Sequence, residues 1–565
     1  MAREETKVVI VGASAAGLKC ASRLARLRPD WLITVVEAQN QFSYAACGFP
    51  YVLSGDLSDL EVLHRTADGA TRDVEFFSRA KGVEILSGWR AVAIDPAARH
   101  LQIQDGEGQT RDLEWDELVL ATGAQPRRLP DQPEHPRIRT FHTAADVRYL
   151  HDGLARGDIT HVILVGAGFL GCELAEAFSD LWGAQVTLLE EASTPLPAQL
   201  DPEVGRIVAQ TLRTRGVDLR LGAEVEQIEP AEDQVRVHFA GGKTVVGDAA
   251  VVAIGVEPEI QLAATAGLRL GPTGGLEVDD RLGTSAPNIW AIGDAVELRS
   301  ALTGEPVLLP LGSLANRQGR TLANILSGGQ DRFPPVAGAM ALKVFDLNVA
   351  SVGATSRDAV AHGESVRSVW ISAHDRAEFW PDAAEIFLQL SYRTDSRKVV
   401  GLQAVGPGDV SKRVDVAAQL LNQGATLSDF AQLEHAYSPA FASALEPLAI
   451  AAMAAENVEE GVEVRCPEAG LDGFQVLDVR RPEEIEARPL DLAGVTCITP
   501  EDLRERQDEI EFLPWVVVCE RGTRAAEVVR WLRGRGVTAA YFGGGLRWSS
   551  LAGLGLQTES RTNLP

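Results

Sequence analysis

Two stretches decide the fold: Lys7-Val-Val-Ile-Val-Gly-Ala-Ser-Ala-Ala-Gly17 and His161-Val-Ile-Leu-Val-Gly-Ala-Gly-Phe-Leu-Gly171. Each opens with an apolar run of strand length and closes on spaced glycines. A helical stretch follows, to Arg28 in the first case and Trp182 in the second. A second apolar run then ends on an acid: Leu32-Ile-Thr-Val-Val-Glu37 and Gln185-Val-Thr-Leu-Leu-Glu190. Strand, glycine turn, helix, strand and carboxylate make up a βαβ unit that seats a dinucleotide pyrophosphate on a helix N-terminus. The chain carries this unit twice.

In the second unit, Gly166 permits the tight turn, Gly168 lets the backbone approach a pyrophosphate, and Gly171 lets helix and strand pack closely. Glu190, 24 residues after Gly166, stands where a carboxylate binds an adenosine ribose and disfavours a 2′-phosphate, so NAD is expected over NADP. The first unit has Ser14 where the second glycine belongs. Three later segments support it: Glu37, 25 residues after Gly12; Leu120-Ala-Thr-Gly-Ala124; and Asn288-Ile-Trp-Ala-Ile-Gly-Asp294.

In order and spacing these segments resemble the two-dinucleotide-fold flavoprotein disulfide reductases. The resemblance implies FAD on the first unit, held by Gly12, Ala16, Gly17, Glu37, Thr122, Gly123 and Asp294. It implies NADH, with NADPH the weaker donor, on Gly166, Gly168, Phe169, Leu170, Gly171, Glu190 and Gly255.

Ten residues after Glu37 comes Cys47, within Gln41-Phe-Ser-Tyr-Ala-Ala-Cys-Gly-Phe-Pro-Tyr51. Its place directly after the second strand sets the thiol beside a flavin rather than deep in a core. Dithiol members of the family carry a second Cys five residues on, where this chain has Val52. A lone thiol must cycle through a mixed disulfide, a persulfide or a sulfenic acid. The block is similar to that of coenzyme A-disulfide reductases and NADH-dependent persulfide (polysulfide) reductases. Leu314-Ala-Asn-Arg-Gln-Gly-Arg320, Phe345-Asp-Leu-Asn-Val-Ala-Ser-Val-Gly353 and Lys412-Arg-Val-Asp415 agree with it, over about residues 7–458. The resemblance implies catalysis at Cys47, a Tyr437 that reaches the active site of a partner subunit, and hence a homodimer. Lys19, Arg23 and Ser43 become candidate substrate contacts, with coenzyme A among the candidate ligands. Ala46, Phe379-Trp380 and Leu445 depart from the family pattern and weaken coenzyme A recognition. NADH oxidases and peroxidases of the same scaffold carry a His in the first glycine turn; Ala15 stands there and argues against oxygen chemistry.

Near the C-terminus, Phe474-Gln-Val-Leu-Asp-Val-Arg480 reads as a buried strand, and Pro514-Trp-Val-Val-Val-Cys-Glu-Arg-Gly-Thr-Arg524 as strand, loop and helix start. A Cys on such a loop lies among backbone N–H groups that stabilise a thiolate or persulfide. Cys519, Gly522 and Arg524, with the Gly543–Gly545 turn, resemble a rhodanese domain, although its usual Gly-His-Ile-Pro-Gly-Ala segment is replaced by Glu486-Ala-Arg-Pro-Leu490. That resemblance implies a sulfurtransferase whose thiol is Cys519 and whose Arg524 meets substrate.

Composition sets the bounds. The 565 residues predict three or four domains at roughly 150 each. The net charge of −26, without basic runs, excludes nucleic acid as a partner, and no apolar stretch long enough for a membrane span occurs. Six Cys in this length form no disulfide framework and stand at no metal-ligand spacing, so no metal and a reducing, cytoplasmic setting are expected. The expected architecture is α/β: an FAD-binding domain over 1–150 and 251–330, an NAD-binding domain over 151–250, an α+β dimerisation domain over 335–458 and a rhodanese-like α/β domain over 470–565. An acidic stretch from Glu456 to Asp472 reads as the linker before the last. The expected function is an FAD-dependent NADH reductase of persulfides, polysulfides or coenzyme A disulfide, using one redox cysteine and fused to a sulfurtransferase. The alternatives are an NADH oxidase or peroxidase, and a non-redox sulfurtransferase or sulfur sensor in which flavin only regulates.

Overall fold

The computed structural model describes residues 5–554; residues 1–4, and the 555–565 end of the expected C-terminal domain, lie outside the described residues. Two compact units emerge. One takes the chain up to Leu189 together with Val225–Val336; the other takes Glu190–Glu224 together with the chain from Ala337 onward.

In the first unit, both glycine-rich segments feed parallel sheets. Lys7–Val11 lies at the centre of a five-stranded sheet in the order Ile289–Ala291, Glu117–Leu120, Lys7–Val11, Leu32–Glu37, Glu84–Ser87, all parallel. Its residues Val8–Val11 are buried, as expected for a strand covered on both faces. His161–Val165 pairs in parallel with the strand beginning at Gln185 and with Ala249–Val252, which in turn pairs with Ile138–Arg139. Two short strands, Ala124–Pro126 and Val256–Pro258, run antiparallel to each other, so the chain leaves the first sheet and returns to it along adjacent paths. A three-stranded antiparallel sheet follows, Val225–Pro230, Val235–Phe239 and Lys243–Gly247.

Helix α1 (Ala15–Leu27) buries Leu18, Ala21 and Leu24 at helical spacing and stops where Pro29 follows Arg28. Helix α2 (Phe169–Asp180) is the counterpart in the second glycine unit. Helix α3 (Gly312–Leu326) packs along α1, with Gly319 set directly against the α1 backbone. A Cβ there would stand 2.4 Å from the Ala16 carbonyl oxygen and 3.1 Å from both the Cys20 nitrogen and the Lys19 Cβ.

In the second unit, Met340–Val344, Leu347–Gly353, Val399–Gly406, Glu385–Arg393 and Val366–His374 form an antiparallel sheet in that order. Asp201, fully buried, ties the 190–224 segment to it by accepting from the Gln389 and Gln403 side-chain amides at 2.8 and 2.7 Å. A buried ion pair, Arg413 Nε to Glu446 Oε1 at 2.6 Å, joins the helix Ser411–Leu421 to the start of the helix Pro447–Glu459, and Arg413 also donates to the Asp375 carbonyl at 2.6 Å.

The linker expected over Glu456–Asp472 is not a linker. The helix Pro447–Glu459 runs through its start, and Val464–Arg465 then pairs with Tyr541–Phe542. The acidic residues that read as solvated chain are paired: Glu459 takes Arg367 at 2.8 Å and the Tyr392 hydroxyl at 2.9 Å, and Glu460 takes Arg530 at 3.0 Å. Beyond it lies a five-stranded parallel sheet, Val464–Arg465, Ala539–Phe542, Trp515–Val518, Gln475–Asp478, Thr496–Cys497. Its strand Trp515–Val518 alternates faces. Trp515, Val517 and Cys519 join one core with Leu477 and Leu532, while Val516 and Val518 join another with Phe542 and Leu546.

The α1–α3 contact generates a prediction. Gly319→Ala forces a Cβ into backbone and should cost about 1–3 kcal/mol in stability with partial loss of bound flavin. Gly106→Ala meets nothing within 4 Å and should change stability by less than about 0.5 kcal/mol. Denaturant unfolding and flavin absorbance of the two purified variants check this.

Candidate active site

Cys47 occupies a single 3-10 turn, Ala46–Gly48, that runs into the short helix Phe49–Leu53. Its position is fixed from both sides. Ser43, buried and in the left-handed region at φ 63°, donates its N–H to the Ala13 carbonyl of the first glycine turn at 3.1 Å. On the other side, Gly48 lies so close to Leu63 that a Cβ would meet its Cδ2 at 2.2 Å. The Cys47 residue is exposed, and its sulfur faces the start of α3, where a Cβ on Gly312 would be 3.8 Å from Sγ. The α3 N-terminus has no side-chain cap. The Cys47 sulfur thus lies close to the uncapped, partially positive start of α3. Opposing influences hold the thiol above its ordinary value: desolvation of the sulfur first, then the carboxylates of Glu173 and Asp294. The expected second-thiol position, Val52, is buried.

Around this thiol stands the first glycine turn. Gly12, at φ 111°, is so close to Ala121 that a Cβ would fall 2.2 Å from its carbonyl oxygen, and a Cβ on Gly17 would fall 2.0 Å from the Gly12 oxygen. Only glycine fits either place. Glu37 accepts the Ala13 N–H at 2.8 Å, holding the turn against the second strand. Ser14 caps α1 with no side-chain hydrogen bond, which leaves the helix N-terminus open to an anion. Thr122 Oγ1 donates to the Glu259 carbonyl at 2.7 Å, and the space beside Gly123 and Gly255 is open. Ala16 packs near Gly293, whose Cβ would stand 3.1 Å from the Ala16 Cβ. The next residue, Asp294, has no hydrogen-bond partner among the described residues, and burial pushes its carboxyl up to about 6. An orphaned carboxyl beside an uncapped glycine turn fits a hydroxyl-bearing dinucleotide.

The second turn repeats the design. A Cβ on Gly171 would fall 1.9 Å from the Gly166 oxygen, and Gly168 opens onto free space at the uncapped start of α2, where Phe169 and Leu170 are half-buried. Glu190 is buried and accepts the Ala192 N–H at 2.9 Å. Two residues past Gly171 lies a group that the sequence reading missed. Glu173 is pushed up to about 7, by burial first, and accepts the Tyr51 hydroxyl at 3.4 Å, while Tyr51 itself rises to about 12. An acid in an otherwise apolar helix start, Gly171-Cys-Glu-Leu-Ala175, was the available signal.

Other expected residues fall elsewhere. Arg23 Nε donates to Asn324 Oδ1 at 3.1 Å and Lys19 lies at the same α1–α3 contact, so both join helices as well as flanking the turn. Cys20 and Cys172 are fully buried core thiols, and desolvation takes Cys20 to about 12. In the second unit Tyr437 is exposed, on the same unit as exposed Phe379, Trp380, Phe441 and Leu445. Ala377 N–H to the Pro439 carbonyl, at 3.3 Å, joins the two loops that carry these side chains. No group of three or more His, Cys, Asp or Glu suited to a metal occurs among the described residues.

Cys519 directly follows the strand Trp515–Val518 and is 1% exposed. The Gly522 N–H, 3.2 Å from Sγ, donates to it at the start of helix α4 (Thr523–Arg533). Gly522 is left-handed at φ 92°, which turns that N–H back onto the sulfur. Beneath the loop, Arg480 and Asp478 form a buried pair at 2.8 Å, and Glu520 bridges Arg480, Arg488 and Arg547 at 3.2, 3.1 and 3.1 Å. Arg524 is held above its ordinary pKa by Glu484 first, and by the Cys519 sulfur as well.

Comparison with known proteins agrees with this geometry. Residues 6–317 match the family model of pyridine nucleotide-disulphide oxidoreductases, and residues 340–449 match that family's dimerisation domain. The CoA-dependent NAD(P)H sulfur oxidoreductase of Pyrococcus furiosus is 31% identical over 80% of this chain and 99% of its own length. A NAD-dependent persulfide reductase from A. fulgidus superposes with a TM-score of 0.92 at 35% identity, covering 96% of this chain and all of that one. Reduced CoADR-RHD of Bacillus anthracis superposes with a TM-score of 0.89 at 29% identity, over 97% of this chain and 98% of that one. The family's cofactors, FAD and NAD(P)H, suit the two glycine turns described above. The chain is an oxidoreductase and belongs to the pyridine nucleotide-disulphide oxidoreductase family.

Proposed function

We propose that the chain is an FAD-dependent NADH reductase of persulfides, polysulfides or coenzyme A disulfide, that Cys47 is its single redox cysteine, and that the C-terminal unit is a rhodanese-like sulfurtransferase centred on Cys519. The observation that carries the first part is an exposed thiol against the uncapped N-terminus of α3, with Val52 rather than a second Cys beside it. The relatives named for sulfur, persulfide and coenzyme A chemistry support the substrate class.

When bound, FAD supplies two-electron transfer between a nicotinamide and sulfur. Gly12, Ala16 and Gly17 keep the α1 N-terminus open for its pyrophosphate, with Glu37 toward the ribose and Thr122, Gly123 and Asp294 lining the rest. Gly166, Gly168, Phe169, Leu170, Gly171 and Gly255 do the same for the nicotinamide dinucleotide. Glu190 disfavours a 2′-phosphate, so NADH is the better donor.

The Cys47 thiolate attacks one sulfur of the substrate S–S bond, forming Cys47–S–S–R and releasing the other half as a thiolate or hydrosulfide. Two electrons then break the new bond and return Cys47 to thiolate. Each release needs a proton, and Glu173, protonated up to about pH 7 and hydrogen-bonded to Tyr51, holds one close to Cys47. Tyr437, exposed on the matched dimerisation domain, would reach the partner's site in a homodimer. Contacts for coenzyme A are fewer than in the family pattern: Arg23 is engaged by Asn324, and Ala46, Phe379, Trp380 and Leu445 depart from that pattern.

Two predictions follow from this division of labour. Cys47→Ser should retain bound flavin yet lose NADH-driven reduction of a small persulfide by about a hundredfold or more, while keeping sulfurtransferase activity. Cys519→Ser should do the reverse; loss of both activities in either folded variant would contradict two separate stations. The second concerns Glu173. Its folded pKa of about 7 exceeds its ordinary 4.5, so its favourable contribution to stability is complete below pH 4.5 and disappears as pH rises to about 7. Glu173→Gln should therefore gain stability relative to the parent across that window and keep a constant difference above it, as read from denaturant midpoints against pH. A pH-independent difference would remove the buried acid.

A further inference from the structure

The loop that carries Cys519 presents two guanidiniums, and both are occupied by carboxylates. Arg524 Nη1 and Nη2 donate to the two oxygens of Glu484 at 2.7 and 2.6 Å. Arg521 Nη1 and Nη2 donate to the two oxygens of Glu378 at 3.0 Å each, with His374 Nε2 at 3.4 Å. Each is a two-point pair of the stronger kind, and each carboxylate offsets the charge of the guanidinium it holds. The carboxylates register the contact: Glu484 is pulled down to about 2, Arg524 being its largest cause, and Glu378 is lowered by Arg521. The loop adds a further acid, Glu520, directly after Cys519, and it is held by Arg480, Arg488 and Arg547. Toward the sulfur itself the Gly522 N–H donates, and Arg524, which also meets the sulfur, does so while its guanidinium is clamped by Glu484.

This arrangement bears on which sulfur donor the site can accept. With thiosulfate, an anionic Cys519 sulfur meets a dianion and must expel another, sulfite. Three negative charges then share one buried loop, which calls for unpaired cations. A protonated organic persulfide brings no charge to its reacting end. Resting on the sulfurtransferase reading of Cys519 given above, we propose that this site draws its sulfur from organic persulfides in their protonated form and discriminates against thiosulfate, with Glu484 and Glu378 setting that preference. In the step, the Cys519 thiolate attacks the outer sulfur of R–S–SH. The Cys519–sulfur bond forms as the R–S to sulfur bond breaks, and the bonding pair leaves on R–S⁻. The products are Cys519–S–SH and the thiolate. The sulfane sulfur changes partner, and no oxidant or reductant is consumed. Of the two acids Glu484 dominates, since its side chain is 32% exposed against 67% for Glu378, and exposed pairs are screened more strongly.

The test uses the full-length, FAD-loaded chain in a Cys47→Ser background, so that sulfur uptake is read at Cys519 by anaerobic alkylation and peptide mass spectrometry. The donors are thiosulfate and 2-mercaptoethanol persulfide. The persulfide should load Cys519 at least about tenfold faster than thiosulfate at equal concentration. Glu484→Gln should raise the thiosulfate-to-persulfide ratio by about tenfold, Glu378→Gln by less, and Glu484→Asp should restore the parental ratio. Equal loading by both donors in the parent chain overturns the proposal, and so does a ratio that neither Gln substitution moves in folded protein. Should Glu484→Gln fail to fold, the parental comparison and Glu378→Gln decide alone. Failure of Cys519 to load from either donor would instead overturn the sulfurtransferase reading, and this inference with it.

Discussion

The closeness of α1 and α3 is the constraint on which the rest of the first unit depends. With glycine at position 319, the α3 backbone settles against Ala16 and Cys20, at the very turns of α1 that follow the pyrophosphate-type loop. One rigid helix then performs two tasks. Its middle braces α1, and its first residue, Gly312, comes within van der Waals reach of Cys47. Gln318, one residue before Gly319, accepts the Gly293 N–H and so places Asp294 beside the same turn. A flavin cradle and an anion-stabilising helix end are thus parts of a single packing solution, and a shift in one displaces the other.

Both thiols sit among acids. Cys47 has Glu173 and Asp294 as its charged neighbours, and Cys519 is followed by Glu520 with Glu484 and Glu378 closing off the loop arginines. In a chain of net charge −26 this is a local expression of a general field. At Cys47 burial and these two carboxylates raise the cost of a free thiolate. Near Cys47 lies the uncapped start of α3, and at Cys519 the Gly522 N–H donates to the sulfur.

How much of this was legible in the sequence follows from the kind of contact involved. Gly12, Gly17, Gly166 and Gly171 announce themselves because a side chain at any of them would run into backbone, and their spacing to Glu37 and Glu190 is set by the length of one βαβ unit. Cys47 was legible from its place directly after the second strand. Glu173, Gly312 and the Glu378–Arg521 pair were not, because each gains its meaning from a residue more than a hundred positions away. The stretch from Glu456 to Asp472 was misread as a linker for a related reason. Its acids look solvated in sequence, yet Glu459 and Glu460 pair with Arg367 and Arg530, and Val464–Arg465 supplies an edge strand.

The central claim is that substrate sulfur becomes covalently attached to Cys47. Mass spectrometry of the Cys47 peptide, taken anaerobically after a persulfide or coenzyme A disulfide is added and again after NADH, tests it most directly. The account predicts a mixed disulfide or an added sulfur on Cys47 before NADH and its complete discharge afterwards. An unmodified Cys47 thiol throughout, while NADH is oxidised by the same acceptor, would contradict it.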